Sequence, residues 1–210
     1  DVTQSDANLR AYVQRFTGSG FVTVDIDGSS ANDYINLNYD RGSIYFHSTS
    51  PEYYPAEWRP WSDVSTTTFT NLTRPRPQPI LSDIDFSDNG SITLSFMDRN
   101  GLQVGYQNYG PTTSTSLYSN ISAGDLRQIC NTGTIASPVY APEGAAGCTQ
   151  AYAPPSASVN NPPPPNRYFN TLSLARTGST VEGHGEIPLG SVAYKKGSNS
   201  LVMTAMNPAD

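Results

Sequence analysis

The residues of this 210-residue chain that can do chemistry are mostly acids at short spacing. Asp83, Asp85 and Asp88 form one close-spaced carboxylate set, and Asp25 with Asp27 another. Oxygen clusters of this kind can hold Ca²⁺. Asp88-Asn89-Gly90 looks like a fragment of a Ca²⁺ loop, but the other EF-hand positions are absent, and turn chemistry accounts for the same tripeptide. Glu182-Gly-His184-Gly-Glu186 places three potential ligands at alternate positions. In a strand they share one face at steps of about 7 Å and can take a divalent ion. The glycines also suit a solvated, bent loop. Two acids on opposing faces, about 5–9 Å apart, are what glycoside hydrolysis needs, and Asp63, Asp83, Asp98 and Glu186 are the acids that could be assembled that way.

Other constellations are thinner. His47 and His184 are the two histidines, and no Gly-x-Ser-x-Gly occurs, so a serine hydrolase is unsupported. No catalytic residue is assigned. Asp98-Arg99 sets an acid beside a base after a strand. Neighbours in a strand point opposite ways, so each is expected to bond a nearby loop rather than the other. Asn71-Leu-Thr, Asn89-Gly-Ser and Asn120-Ile-Ser fit the glycosylation sequon. Cys130 and Cys148 lie 18 apart in Gly- and Pro-containing sequence. In an oxidising compartment a disulfide between them is expected, contributing about 3 kcal/mol. Two buried free thiols are the alternative, and a four-ligand zinc site lacks a nearby histidine.

The elements that must position these residues read as strands and turns. Phe21 to Asp27, Tyr34 to Tyr39 and Ser43 to His47 alternate apolar with polar residues and stop at turn signals, Gly28-Ser-Ser and Asp40-Arg-Gly42 among them. Leu9, Tyr12, Val13 and Phe16 fit either a short helix or a ragged edge strand. Residues 50–79 carry six prolines and both tryptophans, Trp58 and Trp61. Helix is excluded there, and the expectation is an ordered loop pinned by the two indole rings.

From Leu81 to Gly101 the pattern is a β-hairpin: Ile84 and Phe86 alternate with Asp83 and Asp85, Asp88-Asn89-Gly90 turns the chain, and Ile92, Leu94 and Phe96 resume. A similar unit closes the sequence, with Met97-Asp98 matched by Met206-Asn207 at an offset of 109. Repeated hairpins suggest radial repetition, as in a propeller. Between the copies, residues 136–166 are rich in Pro, Ala, Ser and Asn, with the run Pro162 to Pro165 expected as extended polyproline II in a surface insertion.

Composition narrows the class. Charged residues make up 14%, and 13 tyrosines supply aromatic surface suited to pleated, half-buried strands. A pI near 4.8 with no basic run argues against nucleic acid, and no stretch approaches the 18 apolar residues of a membrane span. The chain opens at Asp1 without a leader pattern and is read as a processed product or a fragment. The expected fold is all-β and antiparallel: a partial, propeller-like array of hairpins with a long Pro-rich insertion.

Trp58-Arg-Pro-Trp61, Pro77-Gln-Pro79, Ile84 to Ser91 and Asp98-Arg-Asn-Gly101 together resemble the propeller-like region found upstream of SdrD B-like domains in large bacterial surface proteins. The segment from His184 to Gly190, with Met206-Asn-Pro208, is similar too, although Asn207 stands where the family shows Asp. The resemblance covers about a third of the chain. It implies location and architecture, not activity, and carries over no catalytic residues. A full propeller of four or more four-stranded blades needs more than 210 residues, so this chain is expected to supply some of the blades.

The functional expectation is a non-catalytic, extracellular or cell-surface module for adhesion or assembly. Its partners would be other protein chains or the rest of the same polypeptide, with glycans as further ligands and Trp58, Trp61, Asp98 and Arg99 as contact residues. Ca²⁺ is the cofactor the acids allow, at Asp83, Asp85 and Asp88 or at His184 and Glu186. The alternatives are a carbohydrate-active hydrolase using paired carboxylates, and a structural subunit of a filament or surface layer.

Overall fold

A computed structural model of the chain describes residues 9–26, 33–39, 41, 43–46, 52–55, 57–61, 77–105, 108–109, 117–118, 120, 122–149, 187–198 and 200–206. Among these, strands dominate and the pairing is antiparallel throughout. The all-β expectation therefore holds. No sheet among the described residues closes on itself.

The N-terminal part forms small two-stranded ribbons. Strand β1 (Arg10–Ala11) is followed by β2 (Gln14–Phe16), β3 (Phe21–Thr23) and β4 (Ile35–Asn36), with β1 paired to β4 and β2 to β3. The ambiguity over residues 9–16 is decided by period two: Leu9, Ala11 and Val13 are buried while Tyr12 and Phe16 face out. Strand β5 (Ser43–Phe46) pairs with β6 (Glu52–Pro55). Strand β5 lies in the alternating run from Ser43 where a strand was expected, whereas β6 lies where a loop was expected. Pro55 pairs only at its end, where a missing amide N–H costs least.

The first hairpin is as expected, with β7 (Pro79–Phe86) against β8 (Ile92–Asp98). Its turn is held by Asn89, whose Oδ1 accepts the Ser91 N–H at 3.0 Å, and by Gly90 at a φ of +81° that favours glycine. A six-residue helix, α1 (Arg99–Val104), follows at once. Two short strands, β9 (Asn108–Tyr109) and β10 (Leu117–Tyr118), pair with each other. Strand β11 (Asp125–Asn131) then joins the outer edge of β8, and β12 (Tyr140–Pro142) completes a four-stranded sheet in the order β12-β11-β8-β7. The disulfide between Cys130 and Cys148 forms as expected, with Cα atoms 5.3 Å apart, tying β11 to the turn after β12. Of the Pro-rich 136–166 segment, residues beyond 149, including the Pro162–Pro165 run, lie outside the described residues.

The second hairpin is also as expected: β13 (Ile187–Tyr194) pairs with β14 (Leu201–Met206) around a bulge between Pro188 and Val192. It packs on the β7–β8 hairpin. The apolar core lies on the other face of the four-stranded sheet, where Ile92, Leu94, Phe96 and Ile129 meet Leu9, Val13, Ile26, Ile35, Leu37 and Trp58. Both faces of β8 are therefore covered. Thr93 and Ser95, which point away from that core, are buried as well, and Thr93 Oγ1 lies 2.8 Å from the Tyr194 hydroxyl.

Candidate functional site

The acids that suggested chemistry are placed as acceptors. In β7, Asp83 Oδ1 accepts the Ile84 N–H at 2.8 Å and its Oδ2 accepts the Val192 N–H at 2.9 Å. Asp85 repeats the arrangement with Phe86 at 2.8 Å and Tyr194 at 2.5 Å. Asp88 Oδ2 accepts from the Gly197 N–H in the opposing turn. Because the Val192 and Tyr194 amides point away from β14, these three carboxylates bridge the facing edges of the two hairpins. Among the described residues, no group of three or more His, Cys, Asp or Glu side chains is arranged to hold a metal ion. His47, Asp63, Glu182, His184 and Glu186 lie outside the described residues, as do Asp27 and Asn71.

Asp98 is fully buried. It caps α1, with Oδ1 accepting from the N–H groups of Asn100 at 2.9 Å and Gln78 at 3.0 Å and Oδ2 from Ala123 at 3.1 Å. Burial raises its carboxyl above the ordinary value, against the pull of the Gln78, Gly101 and Ala123 amides and the Arg41 charge. Gly101 is required here, since a Cβ would sit 2.4 Å from the Ser122 backbone. The Asp98-Arg-Asn-Gly101 sequence thus stitches three segments together. As expected, Asp98 and Arg99 bond neighbouring loops and not each other: Arg99 Nη1 donates to Gln78 Oε1 at 2.7 Å. The helix itself was not foreseen, and Asn100 and Gly101, both poor helix formers, conceal it.

The two tryptophans part company. Trp58 is 1% exposed and packs against Phe96, with ring centroids 6.2 Å apart. It is therefore interior and presents no contact surface. Trp61 is 58% exposed, against the expectation that both rings would be pinned inside. Its indole N–H donates to the Pro79 carbonyl at 2.7 Å, and the Arg99 guanidinium lies 4.9 Å from the ring centroid. Leu102, one helical turn on from Arg99, is exposed beside it on α1. A fixed indole with a cation against it is a platform for stacking on planar apolar faces.

Beneath this surface runs a charged network that the sequence did not reveal. Arg41 and Asp125 are both fully buried and paired at 3.4 Å. Arg41 Nη2 donates to the Ala123 and Gly124 carbonyls at 2.6 and 2.9 Å, and its guanidinium lies 3.7 Å from the Trp58 ring centroid. The Tyr39 hydroxyl donates to Asp125. Arg127 stacks over the Tyr39 ring at 4.0 Å and pairs with Glu143 at 3.3 Å, while Glu143 Oε2 also accepts the Gln128 N–H at 3.1 Å. Arg41 sits in Asp40-Arg-Gly42, which carries only a turn signal. The one available hint was the alternation of Asp125 and Arg127 in an otherwise strand-like run.

Of the residues expected at the site, the structure brings Trp61, Asp98 and Arg99 to one corner, where β7 begins and α1 starts. These features define an all-β chain, closed by one disulfide, whose described acids mainly hold its own backbone and arginines in place. Comparison with protein-family models, curated proteins and solved structures finds no match to this chain.

Proposed function

We propose that this chain is a non-catalytic module of a bacterial surface or secreted protein, serving adhesion or assembly with other chains. The observation that carries the reading is the contrast at the corner of the sheet. Asp98 is locked inside by three amide donors, while Trp61 is held rigidly outward with Arg99 against it. Rigid, exposed aromatics beside an arginine suit contact with sugar rings or protein surfaces. The disulfide supports an oxidising location. No helix among the described residues is long and apolar enough to cross a membrane. The side-by-side packing of the two similar hairpins supports a repeated array, of which a propeller is one form, and agrees with the resemblance to the propeller-like region of large surface proteins.

Cell fractionation combined with a glycan array and pull-down tests this reading. A surface or secreted location is expected, with a ligand that is lost in Trp61→Ala while Trp61→Phe retains part of it. Cytosolic protein with no ligand on either platform overturns it.

A further inference from the structure

Strands β8 and β14 hold the same place in the two hairpins, yet their outer edges differ. Beside β8 runs β11, antiparallel, with Leu94 opposite Arg127 and Ile92 opposite Ile129. Among the described residues, β14 pairs only with β13. The hydrogen bonds tell which of its backbone groups face outward. The Val192 and Tyr194 amides go to Asp83 and Asp85, away from β14. Their partners in the register, Met203 and Leu201, are therefore the non-hydrogen-bonded positions of the ladder, and their amides and carbonyls face away from β13.

The sequence of β14 itself carries none of the usual protections. Leu-Val-Met-Thr-Ala-Met contains no charge, no proline and no glycine, the devices that keep natural edges from pairing. The contrast within the molecule is direct, since the edge amides of β7, at Ile84 and Phe86, are taken up by Asp83 and Asp85. Val202 stands 65% exposed on the same strand.

We infer that β14 pairs with β14 of a second copy of this chain across a two-fold axis, joining the hairpins into one four-stranded sheet. A two-fold copy necessarily runs antiparallel, the direction β11 takes beside β8. The absence of charge means that self-pairing sets no like charges opposite each other. Centring on Met203 gives the two Met203 residues a reciprocal pair of bonds, matches Leu201 with Ala205, and sets Val202 across from Thr204. About six backbone hydrogen bonds form, over an area smaller than that of a permanent dimer, so the association is weak and concentration-dependent. This deepens the assembly part of the proposed function by naming the partner.

Sedimentation equilibrium on the whole chain, from about 10 µM to about 1 mM, covers the range of a small interface. The mass is expected to move from monomer toward dimer. Met203→Pro removes the central outward amide and leaves the β13 ladder intact, and it should weaken association at least tenfold. Val202→Lys should do the same without touching the backbone. Amide exchange at Leu201 and Met203 should slow as concentration rises. A monomer at every concentration overturns the inference, as does a dimer indifferent to both variants. Leu201 and Met203 amides protected in the monomer also overturn it, because the edge is then covered by the chain itself. Ligand binding through Trp61 is read separately, so failure here leaves the wider reading standing or falling on its own test.

Discussion

Asp85 accepts the backbone N–H of Tyr194, a residue 109 positions further along the chain, at 2.5 Å. The same separation of 109 relates Asp83 to Val192 and Asp88 to Gly197. It is also the offset at which β8 repeats as β14, whereas β7 repeats as β13 at 108, with Ile84 matching Val192 and Phe86 matching Tyr194. The copies lie side by side with their first strands displaced by one residue from the sequence match, and the carboxylates of one cap the edge of the other. Asp83 and Asp85 each satisfy two amides that would otherwise form an open sheet edge.

Removing these clasps should loosen the second hairpin selectively. Asp83→Ala with Asp85→Ala is expected to cost about 1.5–3 kcal/mol per site, the range for hydrogen bonds to a charged acceptor. Hydrogen exchange should speed up at Val192 and Tyr194 while Leu94 and Ile129 keep their protection. Equal acceleration at all four amides contradicts the clasp.

Arg41 is predicted to be indispensable to the fold. Arg41→Ala leaves Asp125 buried without its ion pair, which costs about 3–5 kcal/mol. Arg41→Lys should rescue little, because an ammonium cannot both reach two carbonyls and stack on Trp58. Urea midpoints of the two variants check this, and a lysine variant close to wild type counts against it.

The tryptophans should separate stability from binding. Trp58→Ala empties a packed core position and is expected to cost about 3–5 kcal/mol. Trp61→Ala should cost about 1 kcal/mol or less, since the ring is largely in water. Thermal melts of the pair measure the difference.

Breaking the Cys130–Cys148 bridge should lower stability by about 3 kcal/mol in the chain-entropy picture. The Cys130→Ser, Cys148→Ser double variant, followed by urea denaturation, gives the value directly. Adding reductant should bring wild type down to the same midpoint.

Asp98 carries a pH signature with a definite sign. Burial holds its carboxyl above the ordinary 3.8, so between the unfolded and folded values the folded chain keeps a proton that the unfolded chain has released. Its contribution is complete below the unfolded value and falls as pH rises through the folded one. Asp98→Ala, which loses the cap and leaves buried amides without an acceptor, should cost about 3 kcal/mol in acid. The gap to wild type should narrow toward neutral pH. Denaturation curves of both proteins across a pH series decide it, and a gap that widens with pH refutes the assignment.

Alternation and turn residues alone determined much of this protein. Leu81 to Phe96 could only be a hairpin, because Asp88-Asn89-Gly90 interrupts two runs of period two. The repeat was readable for the same reason, and so was the cysteine pair, given its spacing and two cysteines in all. What alternation could not decide is which face would be covered. Ile84 and Phe86 look like core partners of Ile92, Leu94 and Phe96, yet they are 39% and 54% exposed while Asp83 and Asp85 turn toward β13. Period two sorts side chains onto two faces; it does not say what packs on either. That depends on contacts between segments a hundred residues apart, and the same holds for Arg41, whose burial rests on Asp125 and Trp58. Local residue types set the strands and turns, whereas desolvation by distant partners decided which charges became structural and which ring, Trp61 rather than Trp58, was left facing solvent.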